Sequence, residues 1–292
     1  MKHSLILGAD IGGSHITTAL VETQHWTLLE HTKSRAAVDP SGAANKILSS
    51  WCTLIQETLA KSPELPTAFG LAIPGPFNYQ QGISLMQGQN KYDALYSVNV
   101  KKSIADFFNI KMEDITIIND AESFLEGELR SGVGKGYYKP LAITLGTGLG
   151  SAFSDYGSTK DADLWSSPFK QGIAEDYFST RWFQKRYLEL TGKELKNVKE
   201  LASMGAPAGE IFDEFGTNLG EFINGLVANN PRDLVILGGN ISASFHCFSK
   251  ALVSTLTGVP VLQSALGENA SIIGAAAACT RKTDPIIIKT KF

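Results

Sequence analysis

Leu5-Ile6-Leu7-Gly8-Ala9-Asp10-Ile11-Gly12-Gly13-Ser14-His15-Ile16-Thr17-Thr18-Ala19-Leu20-Val21 is the stretch on which the fold turns. Its first half is a short apolar run closed by Asp10 and a glycine pair, and reads as a buried strand. Ile16 to Val21 is rich in β-branched residues and reads as a second strand. Two strands joined by an Asp-Ile-Gly-Gly-Ser turn make a hairpin. Dinucleotide-binding and P-loop units require a helix straight after their glycine-rich turn, so this stretch excludes both.

Outward from the hairpin, apolar residues Ile47, Leu48, Trp51, Leu54, Ile55 and Leu59 recur at near-helical spacing and predict a helix over Ser41 to Lys61. Phe69 to Ile73 predicts a third strand, stopped by Pro74-Gly75-Pro76. Val98 to Phe108 predicts another helix, and Ile115 to Ile118 a strand that runs directly into Asn119-Asp120. A second cycle on the same plan follows: strand Leu141 to Leu145, turn Gly146-Thr147-Gly148-Leu149-Gly150, strand Ser151 to Phe153. A late strand, Leu234 to Leu237, closes on Gly238-Gly239. An apolar strand, a glycine-rich hairpin turn, another strand and crossover helices thus occur twice.

The 292 residues, 43% hydrophobic and 19% charged, suit two domains of ordinary size. A formal charge of -3 gives no electrostatic reason to expect nucleic acid or an anionic membrane as partner. Leu5-Ile6-Leu7 is shorter than the roughly 7–15 apolar residues of a secretory segment and the roughly 20 of a membrane span. A soluble, cytoplasmic protein is therefore expected. The three cysteines, Cys52, Cys247 and Cys279, are far apart and read as buried small hydrophobes rather than disulfide or metal ligands.

Two glycine turns flanked by apolar strands point to phosphate binding. Without a Cβ at Gly12, Gly13, Gly146, Gly148 and Gly150, backbone N–H groups can approach phosphate oxygens. Asp10, at the head of the first turn, suits a Mg²⁺ ion held through water. Asn119-Asp120 follows a β-type run, at the strand's C-terminal end where α/β proteins place their chemistry. Asp120 there can take a proton from an attacking hydroxyl or cap a helix beginning at Ala121; the two roles are compatible.

These motifs, in this order, resemble the ROK family of bacterial sugar kinases and repressors, within the actin-like ATPase superfamily. Asp10-Ile11-Gly12-Gly13-Ser14 resembles the family's first phosphate loop and Leu145-Gly146-Thr147-Gly148-Leu149-Gly150 its second. Ile236-Leu237-Gly238-Gly239-Asn240 resembles the adenosine segment, and Gly70 to Pro76 the strand and Pro-Gly turn of the interdomain region. Asn119-Asp120-Ala121 resembles the sugar-binding and catalytic motif, whose aspartate serves as general base. By the same resemblance Asn90, Asn119, Asp120 and Glu175 contact the sugar. The likeness runs from Leu5 to about Ala278.

The resemblance implies an α/β, two-lobed actin-like ATPase (ribonuclease H-like) fold with a cleft between the lobes. Residues 1–118, joined by a C-terminal helix at about 272–292, would form the smaller lobe, and 119–271 the larger. It implies ATP and Mg²⁺ as cofactors and phosphorylation of a hexose, at the 6-hydroxyl, with a homodimer compatible with it. Repressors of the family carry a DNA-binding segment before the first strand. Here that strand begins at about Ser4, so a kinase is expected instead.

One departure bears on the substrate. Family members carry Glu-x-Gly-His and a cysteine-rich motif after the second phosphate loop, binding sugar and a structural zinc. This chain has no histidine between His31 and His246 and no cysteine between Cys52 and Cys247. No zinc site is expected there. Asp161-Ala162-Asp163-Leu164-Trp165-Ser166-Ser167-Pro168-Phe169-Lys170 stands in its place as a candidate sugar-side loop. A catalytically silent sugar- or nucleotide-binding protein of the same fold is the rival reading; Asp120 and both phosphate loops oppose it.

Overall fold

A computed structural model describes residues 4–88, 91–205 and 207–280. The chain divides into two compact units, one of described residues up to Gly132 together with those from Glu268, the other Val133–Gly267.

The first unit holds β1 (Leu5–Ile11), β2 (His15–Glu22), β3 (Thr27–Leu28), β4 (Ser34–Ala37), α1 (Ala44–Leu59), β5 (Phe69–Ala72), β6 (Phe77–Asn78), β7 (Ile83–Ser84), α2 (Val100–Phe108), β8 (Ile115–Ile118) and α3 (Asp120–Ser131). The expected hairpin is present: β1 and β2 are antiparallel, with Ile11 opposite Ile16 and Asp10 opposite Thr17. β1, β5 and β8 then run parallel, pairing Asp10 with Ala72 and Ala72 with Ile118. The sheet order is β3-β2-β1-β5-β8, with β4 also on β2. That register matters for chemistry, because it brings the C-terminal ends of three strands to one edge. Ile16, Leu20, Trp51, Ile55 and Ile104 are fully buried in the core beside the sheet, which explains why the apolar periodicity of α1 was readable in the sequence.

The second unit holds β9 (Pro140–Leu145), β10 (Leu149–Asp155), β11 (Ser158–Asp161), β12 (Pro168–Phe169), β13 (Gly172–Ile173), α4 (Ala174–Tyr177), α5 (Thr180–Thr191), α6 (Val198–Ala202), α7 (Ala208–Asn229), β14 (Leu234–Gly238), α8 (Phe245–Thr255) and β15 (Val261–Gln263). Its main sheet has the order β11-β10-β9-β14-β15. The β9–β10 hairpin is antiparallel, while β9 and β14 are parallel with Thr144 opposite Gly238. Its core is aromatic, with Phe178, Trp182, Phe183, Phe212, Phe215 and Phe248 buried together. Phe183 and Phe215 have ring centroids 4.7 Å apart. α8 lies close on α7 because Gly216 and Gly220 offer no side chain; a Cβ at Gly216 would stand 2.5 Å from the Phe248 carbonyl.

The chain returns to the first unit through α9 (Asn269–Ala278), which packs on α3, β1 and β5. Glycines let the backbones approach closely. A Cβ at Gly8, Gly70 or Gly127 would collide with the α9 backbone, and one at Gly274 with the Ser123 carbonyl of α3. This close packing explains where the division falls. The expected boundary lay before Asn119, but α3 buries its face against α9 and therefore belongs with the first unit. The returning helix starts at Asn269 rather than at about 272, and positions from 281 lie outside the described residues.

Candidate active site

Asp10 is the last but one residue of β1 and Asp120 begins α3, at the edge where β1, β5 and β8 finish in register. Asn119, between β8 and α3, is the helix cap: its Oδ1 accepts from the N–H groups of Ala121 at 2.8 Å and Glu122 at 3.1 Å. Its Nδ2 donates to the Tyr79 hydroxyl at 3.3 Å, and that hydroxyl donates to the Ile73 carbonyl at 3.1 Å. The capping role weighed for Asp120 thus falls to Asn119. Asp120 is the first helical residue, half-buried, with Oδ1 accepting from Ala121 N–H at 2.9 Å.

The electrostatics of this edge are dominated by burial and like charge. Burial pushes the Asp10 carboxyl up to about 7, Asp120 and Glu268 push in the same direction, and Arg35 opposes them. Burial also raises Asp120, against the Ala121 N–H and the Lys91 ammonium. Arg35 is itself ion-paired to Glu268. Two carboxylates acting on a third leave surplus negative charge around Asp10, which a divalent cation would relieve. The residues present therefore fit Mg²⁺. Among the described residues no group of three or more His, Cys, Asp or Glu is arranged to hold a metal by itself.

Gly12, Gly13 and Ser14 form the hairpin turn beside Asp10, with Gly12 N–H donating to the His15 carbonyl at 2.9 Å. Gly13 and Ser14 are exposed. Two residues that sequence reasoning missed brace this turn. Tyr92, fully buried, donates its hydroxyl to the Gly12 carbonyl at 2.5 Å, and the Lys91 stem lies 3.9 Å from where a Gly13 Cβ would stand. Their only sequence signal is adjacency to Asn90, which lies outside the described residues.

In the second unit, Gly146, Thr147 and Gly148 form the β9–β10 turn. Gly146 N–H donates to the Gly148 carbonyl at 3.0 Å, and the Gly146 carbonyl accepts from the Thr180 N–H at 2.8 Å and its hydroxyl at 3.0 Å. Glu175 sits under this turn. Its carboxylate accepts from Leu149 N–H at 3.1 Å and from Arg181 at 2.7 Å, and a Cβ at Gly148 would stand 2.6 Å from it. Gly238 and Gly239 end β14 beside β9; Gly239 has a φ of 79°, and a side chain there would strike the Leu145 backbone. Asn240 follows, exposed, in a 3₁₀ turn. Glu175 and these glycines belong to the second unit, Asn119 and Asp120 to the first.

The Asp161 to Lys170 segment is tied down rather than free. Trp165 Nε1 donates to Asp163 at 2.6 Å, and Lys170 Nζ donates to Asn218 on α7 at 2.5 Å. Trp182 is core, whereas Trp165 is 46% exposed. No helix among the described residues is long and apolar enough to cross a membrane.

The ROK family sequence model matches residues 6–157, more than half of the chain. The N-acetylgalactosamine kinase AgaK of Shewanella sp. (strain ANA-3) is 24% identical over 262 residues, covering 80% of this chain and 81% of its own. Among solved structures, a ROK family glucokinase from Streptomyces griseus, in complex with glucose and AMPPNP, has a TM-score of 0.77 at 22% identity, covering 94% of this chain and 98% of its own. The inorganic polyphosphate/ATP-glucomannokinase of Arthrobacter sp. strain KM has a TM-score of 0.73 at 22% identity, covering 96% and 99%. Two strand–glycine turn–strand cycles, the shared two-lobed actin-like ATPase fold and the family match agree: the chain belongs to the ROK family.

Proposed function

We propose that the protein is an ATP-dependent sugar kinase that phosphorylates a hexose or hexose derivative at the 6-hydroxyl, with Asp120 as general base. The observation that carries this reading is the pair of carboxylates, Asp10 and Asp120, at the C-terminal ends of the parallel strands β1 and β8, beside a glycine turn. Phosphoryl transfer asks little covalent chemistry of the protein beyond positioning, charge and a base for the hydroxyl. Burial raises Asp120, which brings its proton affinity closer to the working pH and makes it a better base. Asp10 would hold Mg²⁺ through water; bound there, the ion supplies positive charge to phosphate oxygens. Gly12, Gly13 and Ser14 in one unit, and Gly146, Thr147 and Gly148 in the other, would offer N–H groups to phosphates. Gly238, Gly239 and Asn240 would take the adenosine, and Asn90, Asn119 and Glu175 the sugar.

The sugar kinases among the relatives, AgaK and the glucokinase, support this reading; such a kinase would work in a cytoplasmic setting supplied with ATP and Mg²⁺. The test is release of ADP from ATP-Mg²⁺ against a panel of hexoses, N-acetylhexosamines and their 6-deoxy analogues. Sugar-dependent ADP release, lost with the 6-deoxy form, is expected. Tight sugar or nucleotide binding without turnover on any sugar overturns the reading in favour of a silent binding protein.

A further inference from the structure

Lys91 is a cation that nothing in the family's motif accounts for, and the fold aims it. Tyr92, the next residue, has φ 57° and ψ 21°, a left-handed conformation that bulky residues rarely adopt. Tyr92 is locked there: its N–H donates to the Pro40 carbonyl at 2.7 Å, its hydroxyl to Gly12 at 2.5 Å, and its ring meets Trp51 edge-on at 5.4 Å. The anchor sets Lys91 against the first glycine turn, where its Cδ is 3.9 Å from the Gly13 Cβ position. From there the ammonium acts on Asp120 as a nearby positive charge. Arg35, the other cation of this edge, is already paired with Glu268. Lys91 is half-buried and makes no ion pair among the described residues.

We propose that Lys91 is a further catalytic residue, whose ammonium touches the phosphoryl group as it passes from ATP to the sugar hydroxyl. This rests on the kinase reading above. The hydroxyl oxygen bonds to the γ-phosphorus while the bond from that phosphorus to the bridging oxygen of ADP breaks. The hydroxyl proton passes to Asp120, and Lys91 keeps its protons throughout. Its charge counters the charge on the transferring oxygens, at a point between a phosphate-binding turn and the base. A fixed positive group at that point acts on the transition state more than on either bound substrate.

The test compares Lys91→Met, which keeps length and removes charge, with Lys91→Arg, on the wild-type protein's best sugar. Lys91→Met is expected to lower kcat by about 10²–10³-fold, with the KM for ATP and for sugar within about threefold. Lys91→Arg should recover at least about a tenth of wild-type kcat, since the charge returns. Affinity for ADP–aluminium fluoride in the presence of sugar should fall with kcat in Lys91→Met, while ATP affinity holds. A thermal melt checks that this half-buried side chain leaves the fold intact. Retention of kcat within about threefold overturns the inference, as does a sugar KM raised more than about thirtyfold at unchanged kcat, which assigns Lys91 to an anionic sugar. Both outcomes leave the kinase reading standing. Wild-type protein inert toward every sugar overturns that reading, and this inference with it.

Discussion

Burial, Asp120 and Glu268 together push the Asp10 carboxyl up to about 7, and Arg35 only partly offsets them. A group whose folded value is raised above the ordinary 3.8 favours the folded state fully below 3.8 and loses that contribution as pH climbs through about 7. Asp10→Asn, neutral at every pH, should therefore raise the melting temperature at pH 8 without Mg²⁺ or nucleotide, and leave it little changed at pH 4. Equal shifts at both pH values contradict the account. Catalysis runs the other way, because Asp120 must be ionised to accept a proton. Its raised value predicts an acid limb of kcat/KM above the usual carboxylate range. Glu268→Gln removes one source of repulsion and should move the Asp10 transition to lower pH, readable by carboxyl NMR. Tyr92→Phe deletes the hydroxyl held by the Gly12 carbonyl. Loss of about 1 kcal/mol of stability is expected from the bond alone, together with a higher KM for ATP-Mg²⁺ from the loosened turn.

At the scale of elements, α9 depends on missing side chains. Gly8 and Gly70 on the strands, and Gly127 on α3, bring the α9 backbone into direct contact with its neighbours. Gly70→Ala places a methyl against the Ala275 carbonyl and should destabilise by about 3 kcal/mol, since a packed backbone yields less readily than a side chain. Gly225→Ala in α7 meets nothing within 4 Å and should stabilise by about 0.5–1 kcal/mol. Thermal melts of the two variants moving in the same direction contradict this. The same contrast explains what the sequence revealed. Strands β1, β5 and β8 were legible because apolar runs ending in glycine, Pro-Gly or Asn-Asp have few other readings, and β2 because it is rich in β-branched residues. The grouping of α3 with α9 was not, because alanine and glycine on α9 leave no amphipathic pattern to follow. The Asp161 to Lys170 segment was legible as a departure from the family motif. Its attachment to Asn218, through Lys170, depends on α7 lying alongside and has no trace in local sequence.

Over the whole molecule, one structural plan occurs twice, and each unit carries glycine turns at the C-terminal ends of its parallel strands. That duplication is why the fold could be read from two short motifs. The phosphate-loop glycines, Asn119 and Asp120 were legible from their place after apolar strands. Lys91, Tyr92 and Tyr79 were not, since they reach the edge through space from loops with no period. A chain without the family's histidine and cysteine motif should also fold without zinc, so a chelator should leave its melting curve unchanged, and a large drop would contradict that. The central claim is that Asp120 takes the proton of the attacking sugar hydroxyl. It is tested most directly by the kcat of Asp120→Asn on the best sugar, alongside ATP affinity measured by calorimetry. Loss of a positioned base predicts a fall of about 10²–10⁴-fold with ATP affinity preserved. A variant that turns over at near wild-type kcat would contradict the account.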